Sequence, residues 1–285
     1  MSSRCRDAAR VTLFALAAGA LAACASPAAQ QEPSASTHDR ELRVCADPDN
    51  LPFSDERRAG FENRVADIVA DAMHARVVYA WHPVTRGWVR KTLGAGLCDV
   101  LLSVPDGLED VDSTVPYYAS VYAFVQRADT APVTSLDDAR LRSMRVAVPL
   151  VPDDLVASPP GYALASRAIV ANVEGYAVTQ QHAAEHAVHD VARGALDVAI
   201  VWGPQAGYFA RRESPRLDVS PLPSVDPRTS LPLSFVMSMG VKPGNAALKH
   251  ELDRAIEARR AEIDRVLVEF AVPRARGASV AEAPR

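Results

Sequence analysis

Gly96-Leu97-Cys98-Asp99-Val100 and Gly194-Ala195-Leu196-Asp197-Val198 read as two copies of one junction, in which a Gly stops a helix and an Asp opens a strand. Gly ends helices because it accepts a left-handed backbone at little cost. Each strand then runs into a proline, Pro105 in the first copy and Pro204 in the second. A proline has no N–H to give a neighbouring strand, so both strands stop there. Any helix-to-strand junction favours Gly followed by Asp, so the echo supports two similar halves without proving them.

The flanking residues extend the parallel. Before the first copy, residues 42–46 form a short apolar strand, and Phe61, Val65, Ile68, Val69, Ala72 and Met73 recur at helical spacing over 60–75. Residues 77–81 are β-branched and aromatic, 85–93 read as a helix, and 99–104 as a third strand. Around the second copy the order returns: strand 144–148, helix 161–168, strand 175–178, helix 183–193, strand 197–202. Alternating strands and helices predict βαβ units on a parallel sheet. A passage with Pro215, Pro221, Pro223, Pro227 and Pro232 then carries the chain back, to a strand over 233–241 and a long helix over 245–270. The helix has Leu248, Leu252, Ile256, Ile263, Leu267 and Phe270 as its apolar stripe. The expected fold is α/β and two-lobed, each lobe a mostly parallel sheet flanked by helices. Lobe one takes 41–128 and 228–274, lobe two takes 129–227, and two crossovers near 126–132 and 221–230 make the hinge.

The N-terminus stands apart. Arg4, Arg6 and Arg10 precede an uncharged run over 11–23 that is too short to span a bilayer, so 1–23 reads as a signal peptide. The run ends in Leu21-Ala22-Ala23-Cys24, which resembles the bacterial lipobox, with Cys24 as the lipidated residue; Ala23-Cys24-Ala25 also fits ordinary cleavage after Ala25. The lipobox reading, with Ala25 in second place, implies anchoring to the inner leaflet of the outer membrane, since two or more acyl chains bind stably at about 0.8 kcal/mol per buried CH₂. Residues 24–40 read as a flexible tether of Ser, Ala, Pro, Gln and Glu, and 275–285 as a disordered tail.

Losing 1–23 removes three Arg and one Asp and moves the net charge from −4 to −6. A mildly acidic chain without a basic stripe is not a nucleic-acid binder. Of four Cys, Cys5 leaves with the signal and Cys24 belongs to the lipobox. Cys45 and Cys98 remain, and an even pair in an oxidising compartment defaults to a disulfide. Against it, Cys45 lies late in its strand and Cys98 early in its own, so a regular parallel register would hold their Cα atoms too far apart.

Further motifs carry a resemblance over essentially the whole mature chain. They include Leu42-Arg43-Val44-Cys45-Ala46-Asp47-Pro48, Asn50-Leu51-Pro52-Phe53-Ser54, Gly60-Phe61-Glu62-Asn63-Arg64, Pro116-Tyr117-Tyr118 and Trp202-Gly203-Pro204. In the second half come Asp153-Asp154, Pro159-Pro160, Asn172-Val173-Glu174-Gly175-Tyr176 and Gly207-Tyr208-Phe209-Ala210. Together these resemble the quinoprotein-dehydrogenase-associated branch of the periplasmic solute-binding protein superfamily, which includes the J-type accessory proteins of methanol oxidation systems. The resemblance implies a non-enzymatic periplasmic protein, with no cofactor of its own, that assists a PQQ-dependent dehydrogenase.

Amino-acid-binding relatives hold their ligand with an Arg after the third strand and an Asp at the end of the equivalent strand of lobe two. Aligned on Val111 and Pro116-Tyr117-Tyr118, the Arg position holds Gly107; aligned on Asp197 and Pro204, the Asp position holds Trp202. Both charges for a zwitterion are missing. Ligands of open α/β sheets sit at the carboxyl ends of strands. That places Asp47, Asn50, Phe53, Trp81, Arg86, Pro105, Tyr117 and Trp202 around a cleft for a small ligand or a partner, although the aromatics equally suit lobe packing.

His182, His186 and His189, with Glu185, could share a helix face and chelate a metal, but a solvated polar face is the better reading. Asp106, Glu109, Asp110 and Asp112 lack the alternation and central Gly of a calcium loop. No common catalytic motif occurs in the sequence. The alternatives are the solute receptor of an ABC importer for a non-amino-acid ligand and, less well supported, a dehydratase, since some relatives of the fold are enzymes.

Overall fold

The computed structural model describes residues 40–151 and 156–273. The signal peptide, Cys24, most of the tether, the tail and Asp153-Asp154 lie outside the described residues. The first half contains β1 (Arg40–Ala46), the small hairpin β2 (Asp49–Asn50) and β3 (Ser54–Asp55), α1 (Phe61–Ala72), β4 (Ala75–Trp81), α2 (Trp88–Lys91), β5 (Val100–Pro105), β6 (Asp112–Ser113) and β7 (Tyr118–Arg127). The second contains β8 (Val146–Val151), β9 (Val156–Ala157), α3 (Pro159–Ala165), β10 (Val173–Ala177), α4 (Ala183–Ala192), β11 (Val198–Trp202), α5 (Gly203–Ala210) and β12 (Leu217–Pro221). The chain returns through β13 (Ser234–Val241), α6 (Ala246–Ala258) and α7 (Arg260–Glu269).

One sheet runs through both lobes in the order β10-β8-β11-β7-β13-β5-β1-β4. Its outer pairs, β1 with β4 and β5, and β8 with β10 and β11, are parallel. Its middle is antiparallel, because β7 and β13 carry the chain out and back. Along β7, Tyr118–Val121 pairs with β13, and from Tyr122 onward the partners are β11 and β12. Tyr122 donates its N–H to the Leu233 carbonyl, and its own carbonyl accepts from the Leu222 N–H. Both passages therefore meet at Tyr122, ahead of the expected first crossover at 126–132. Periodicity does not mark β7, since it is buried almost throughout and so has no polar face to alternate with.

The two echoed junctions are built alike. The Arg43 backbone N–H and Nε each donate to Asp99 Oδ2 at 3.1 Å, Nη2 reaches Oδ1 at 2.6 Å, and Nη1 reaches the Gly96 carbonyl at 3.2 Å. Arg145 repeats the arrangement on Asp197, at 2.8 and 3.2 Å to Oδ2 and 2.7 Å to Oδ1, and reaches the Gly194 carbonyl at 2.9 Å. Gly96 and Gly194 both take left-handed backbones, with φ of 75° and 76°.

Cys45 and Cys98 are joined by a disulfide, with Cα atoms 5.4 Å apart. A regular parallel register with Cys98 inside the strand would hold the two Cα atoms further apart. In the structure Cys45 stands opposite Leu101, and Cys98 precedes the strand. The incoming loop is bent by Gly94 and Gly96, which donate to Val89 and Leu93, and brings Cys98 onto Cys45 beside buried Leu93 and Leu101.

Two expected helices are altered. The one over 85–93 shrinks to the single turn of α2, entered through left-handed Gly87 and tied to the preceding loop by the Trp88 indole N–H, 3.3 Å from the His82 carbonyl. The one over 245–270 is broken at Arg259, whose φ and ψ of −108° and 16° are not helical. Its guanidinium bonds Glu262 at 2.7 Å and Asp71 of α1 at 2.5 Å, so the break docks α6 and α7 on α1. The α5 helix lies against the C-terminal stretch 271–273: a Cβ on Gly207 would stand 1.8 Å from the Ala271 carbonyl oxygen. Tyr208 stacks on Phe270, at 5.8 Å between ring centroids, and Phe61 meets Phe270 edge-on at 5.9 Å.

Candidate functional site

A cavity of about 270 Å³ lies between the lobes. One wall comes from the turn after β1 (Asp47, Asp49, Asn50, Leu51) and from Pro83, Val84 and Thr85. The other comes from Tyr176 of β10, residues 178–185 leading into α4, and Gln205 and Phe209 of α5. Asp47 organises the first wall, because its carboxylate accepts the Asp49 N–H at 2.9 Å and the Val84 N–H at 2.6 Å. Those bonds pin two loops to the carboxyl end of β1.

The walls touch through Asp49. Its Oδ2 accepts from Gln181 Nε2 at 2.7 Å and lies 3.3 Å from His182 Nε2. His182 caps α4 with a left-handed backbone, φ 59°, and its Nδ1 lies 2.9 Å from Glu185 Oε2. Tyr176 is fixed by a bond from its hydroxyl to the Ile200 carbonyl, at 2.9 Å. The wall thus offers three carboxylates, one imidazole and side-chain amides, and no Arg or Lys lines it among the described residues.

Of the eight residues expected around the cleft, Asp47 and Asn50 line this cavity. Phe53 packs on Phe61 at 5.4 Å, and Trp81 stacks on Tyr79 at 4.4 Å on the edge strand. Pro105 is paired with Met237, and Arg86 is exposed beyond Thr85. Tyr117 is buried, with its hydroxyl 2.9 Å from both the backbone N and the Oγ of Ser103. Trp202 sits where the lobes cross, edge-on to Tyr122 at 5.2 Å and Phe235 at 5.8 Å. Asp47 and Asn50 lie beyond the carboxyl end of β1, where the strand-end rule puts cleft residues, whereas the second wall, from β10, the stretch into α4 and α5, holds none of the eight. Pro204 in the first turn of α5 was the available signal for that helix.

A second polar group stands at the carboxyl ends of β1 and β5. Burial pushes the Glu62 carboxyl up to about 7; a hydrogen bond from Ser103 opposes this and the nearby Asp47 charge adds to it. Ser103 has a left-handed backbone, φ 49°, and the buried Tyr118 hydroxyl next to it has no hydrogen-bond partner among the described residues. Burial and the Glu62 charge raise the Tyr118 phenol.

The residues weighed as metal ligands are engaged with other groups. The rings of His182 and His186 are 6.3 Å apart, and His189 faces Glu213 at 3.4 Å. Asp106 accepts from the Ser238 hydroxyl at 3.0 Å and Asp112 from the Gly244 N–H at 2.9 Å, which makes both parts of the loop framework. No set of three His, Cys, Asp or Glu among the described residues could hold a metal ion. No helix among them is long and apolar enough to cross a membrane.

No family model matches the chain. It is 30% identical over 298 residues to Protein MoxJ of Methylorubrum extorquens, covering 96% of this chain and 97% of that one. It is 31% identical over 244 residues to Protein MoxJ of Paracoccus denitrificans, covering 81% and 88%. Among solved structures, the periplasmic binding protein XoxJ from Methylobacterium extorquens AM1 is 36% identical with a TM-score of 0.68, over 81% of this chain and 98% of that one. MxaJ from Methlophaga aminisulfidivorans MPT is 26% identical with a TM-score of 0.71, over 81% and 99%. An ancestral cationic amino acid solute binding protein, at 18% identity and a TM-score of 0.62 over 81% and 95%, shares the fold.

Proposed function

The chain belongs to the MoxJ family of periplasmic binding proteins, and from that membership we propose that it is a non-enzymatic accessory or assembly factor of a PQQ-dependent methanol or alcohol dehydrogenase. The observation that carries the reading is the chemistry of the cavity wall. Free amino acids are held by a guanidinium fork on the carboxylate, and here carboxylates and amides face the cavity without Arg or Lys among the described residues. Gly107, aligned with that Arg, is a turn residue with φ 76°. A dehydratase would need the same carboxylate-holding Arg and an acid/base pair. In this reading Asp47 and Asn50 face whatever enters the cleft, and Cys24 carries the lipid that tethers the protein to the inner leaflet of the outer membrane. The second reading, a receptor delivering a non-amino-acid solute to an ABC importer, is favoured by the inter-lobe cavity itself.

Capture of periplasmic partners on the tagged full chain tests the proposal, and a PQQ-dependent dehydrogenase is the expected companion. An empty capture from cells that express such an enzyme would sink it. Calorimetry against the common amino acids should show no binding heat, because the ligand carboxylate would be desolvated without a cation to pair it, beside wall carboxylates that repel it. Micromolar binding of one of them would overturn the argument from the missing guanidinium and point to an amino-acid receptor instead.

A further inference from the structure

The inter-lobe cavity is acidic on both sides. Asp47 and Asp49 stand on one wall and Glu185 on the other, and no Arg or Lys lines it among the described residues. These carboxylates keep acceptor capacity. The side-chain contacts of Asp49 fall on Oδ2 and that of Glu185 on Oε2, so among the described residues Asp49 Oδ1 and Glu185 Oε1 remain to accept further hydrogens. Gln181 already donates to Asp49 from the opposite wall at 2.7 Å, which is the bond a ligand N–H would make there. Asn50, Gln180 and Gln205 add amide carbonyls. The rest of the lining is apolar, with Leu51, Pro83 and Val84 on the first wall and Val178 and Phe209 on the second. Val84 and Val178 are large apolar side chains left exposed on opposite walls.

We propose that the cleft takes a short aliphatic cation, an amine or guanidine that carries no carboxylate. An ammonium brings three N–H donors and a guanidinium five, with no acceptor, which matches walls that offer carboxylates and carbonyls. A methylene stem can lie on the apolar lining while its charged end reaches the carboxylates. The volume of about 270 Å³ falls below the usual range for drug-sized ligands, about 300–1,000 Å³, and so suits a small, unbranched molecule. A free amino acid offers the same cation with a carboxylate attached, and that carboxylate would meet like charges on both walls. The inference rests on the reading of this cavity as the binding site. It does not depend on whether the protein assists a dehydrogenase or serves an importer, so it can fail while capture of a dehydrogenase succeeds. Asp49 and Glu185 are about half exposed, so solvent screens each contact and no single one dominates.

The closing experiment is titration calorimetry on the full chain with probes that differ only in the carboxylate: cadaverine against lysine, and agmatine against arginine. Glutarate, a dianion of the same length as cadaverine, completes the set. At least one of the two amines should bind at one site per chain, with a Kd below about 1 mM in low-salt buffer. Its carboxylated counterpart and glutarate should give no heat above dilution. Raising the ionic strength should weaken the binding, as it does for any partly exposed ion pair. Asp49→Asn and Glu185→Gln keep the shape of each wall and should each weaken it roughly two- to fivefold, the scale of screened pairs. His189→Gln, outside the cavity, should leave it unchanged. Silence from both amines would overturn the proposal, as would lysine or arginine binding as tightly as its decarboxylated counterpart, or amine binding that both wall variants leave untouched.

Discussion

In lobe one, Cys45 and Cys98 add a covalent bond beside the Arg43–Asp99 clamp. In lobe two the clamp recurs as Arg145–Asp197, but the positions matching the two Cys are Ala147 and Leu196, both buried and apolar. Lobe two is locked elsewhere and by other means. Arg167 and Asp226, 3% and 0% exposed, make a bidentate pair at 2.7 and 3.1 Å, while Arg167 Nε holds Asp137 at 2.7 Å. Asp226 also accepts the Thr229 N–H at 3.1 Å and hydroxyl at 2.5 Å, so the network ties the end of α3 to the return passage after β12. One lobe is secured by a bond that answers to redox conditions, the other by charges that answer to acid. Two similar halves can therefore share a frame and differ in what loosens them.

The comparison is broken most directly at Asp226. Asp226→Ala removes the buried carboxylate from Arg167, leaving solvent-exposed Asp137 as its remaining anionic contact among the described residues, and should cost about 3–5 kcal/mol in urea unfolding at neutral pH. Burial alone would raise the Asp226 carboxyl, but hydrogen bonds from Arg167 and Thr229 outweigh it and hold it down to about 2. A lowered carboxyl contributes stability above its ordinary value of 3.8 and loses it as the pH falls through about 2, so the gap between wild type and variant should narrow over that window.

Replacing Cys45 and Cys98 together by Ala opens a loop of sequence separation 53 and should cost about 2–4 kcal/mol, insensitive to acid. Thiol alkylation of the native protein without reductant should modify neither Cys. Combining this pair of changes with Asp226→Ala sharpens the contrast. A single unfolding transition would mean that the shared sheet couples the lobes, and two transitions would mean that each lobe answers to its own lock. The smallest effect is expected where the lobes agree. Arg43→Ala and Arg145→Ala should shift the urea midpoint least, and by matching amounts, since both guanidiniums are nearly half exposed and their pairs are screened.

Much of this frame was legible in the sequence. The Gly and Asp of each junction stood out because a left-handed turn and a strand start ask for those residues. Their Arg partners did not, because a charged residue at the start of a strand reads as a solvated end. β7 escaped because burial on both faces erases alternation, and α5 escaped because it follows β11 without a loop. The rule that ligands meet the carboxyl ends of strands pointed to Asp47 and Asn50, which line the cavity. It did not point to His182, whose place in the wall depends on a left-handed backbone that non-glycine residues seldom adopt. Helix-face arithmetic put His182 beside His186 and His189, whereas its backbone turns it toward Asp49 of the other wall.

The place of β13 in the sheet sets an order of assembly. It is inserted between β5 and β7, pairing Met237–Val241 with β5 and Ser234–Met237 with β7. A chain delivered N-terminus first presents β8, β10, β11 and β12, with β7 to pair against, before β13 exists as a partner. The inner edge of β5 waits, unpaired, for residues near the far end of the chain. Long-range pairings of this kind are slow because the intervening loop must close first. No fragment that stops short of Ser234 can complete the N-terminal half of the sheet, so in this molecule truncation from the C-terminus exposes a strand edge deep in the N-terminal sequence.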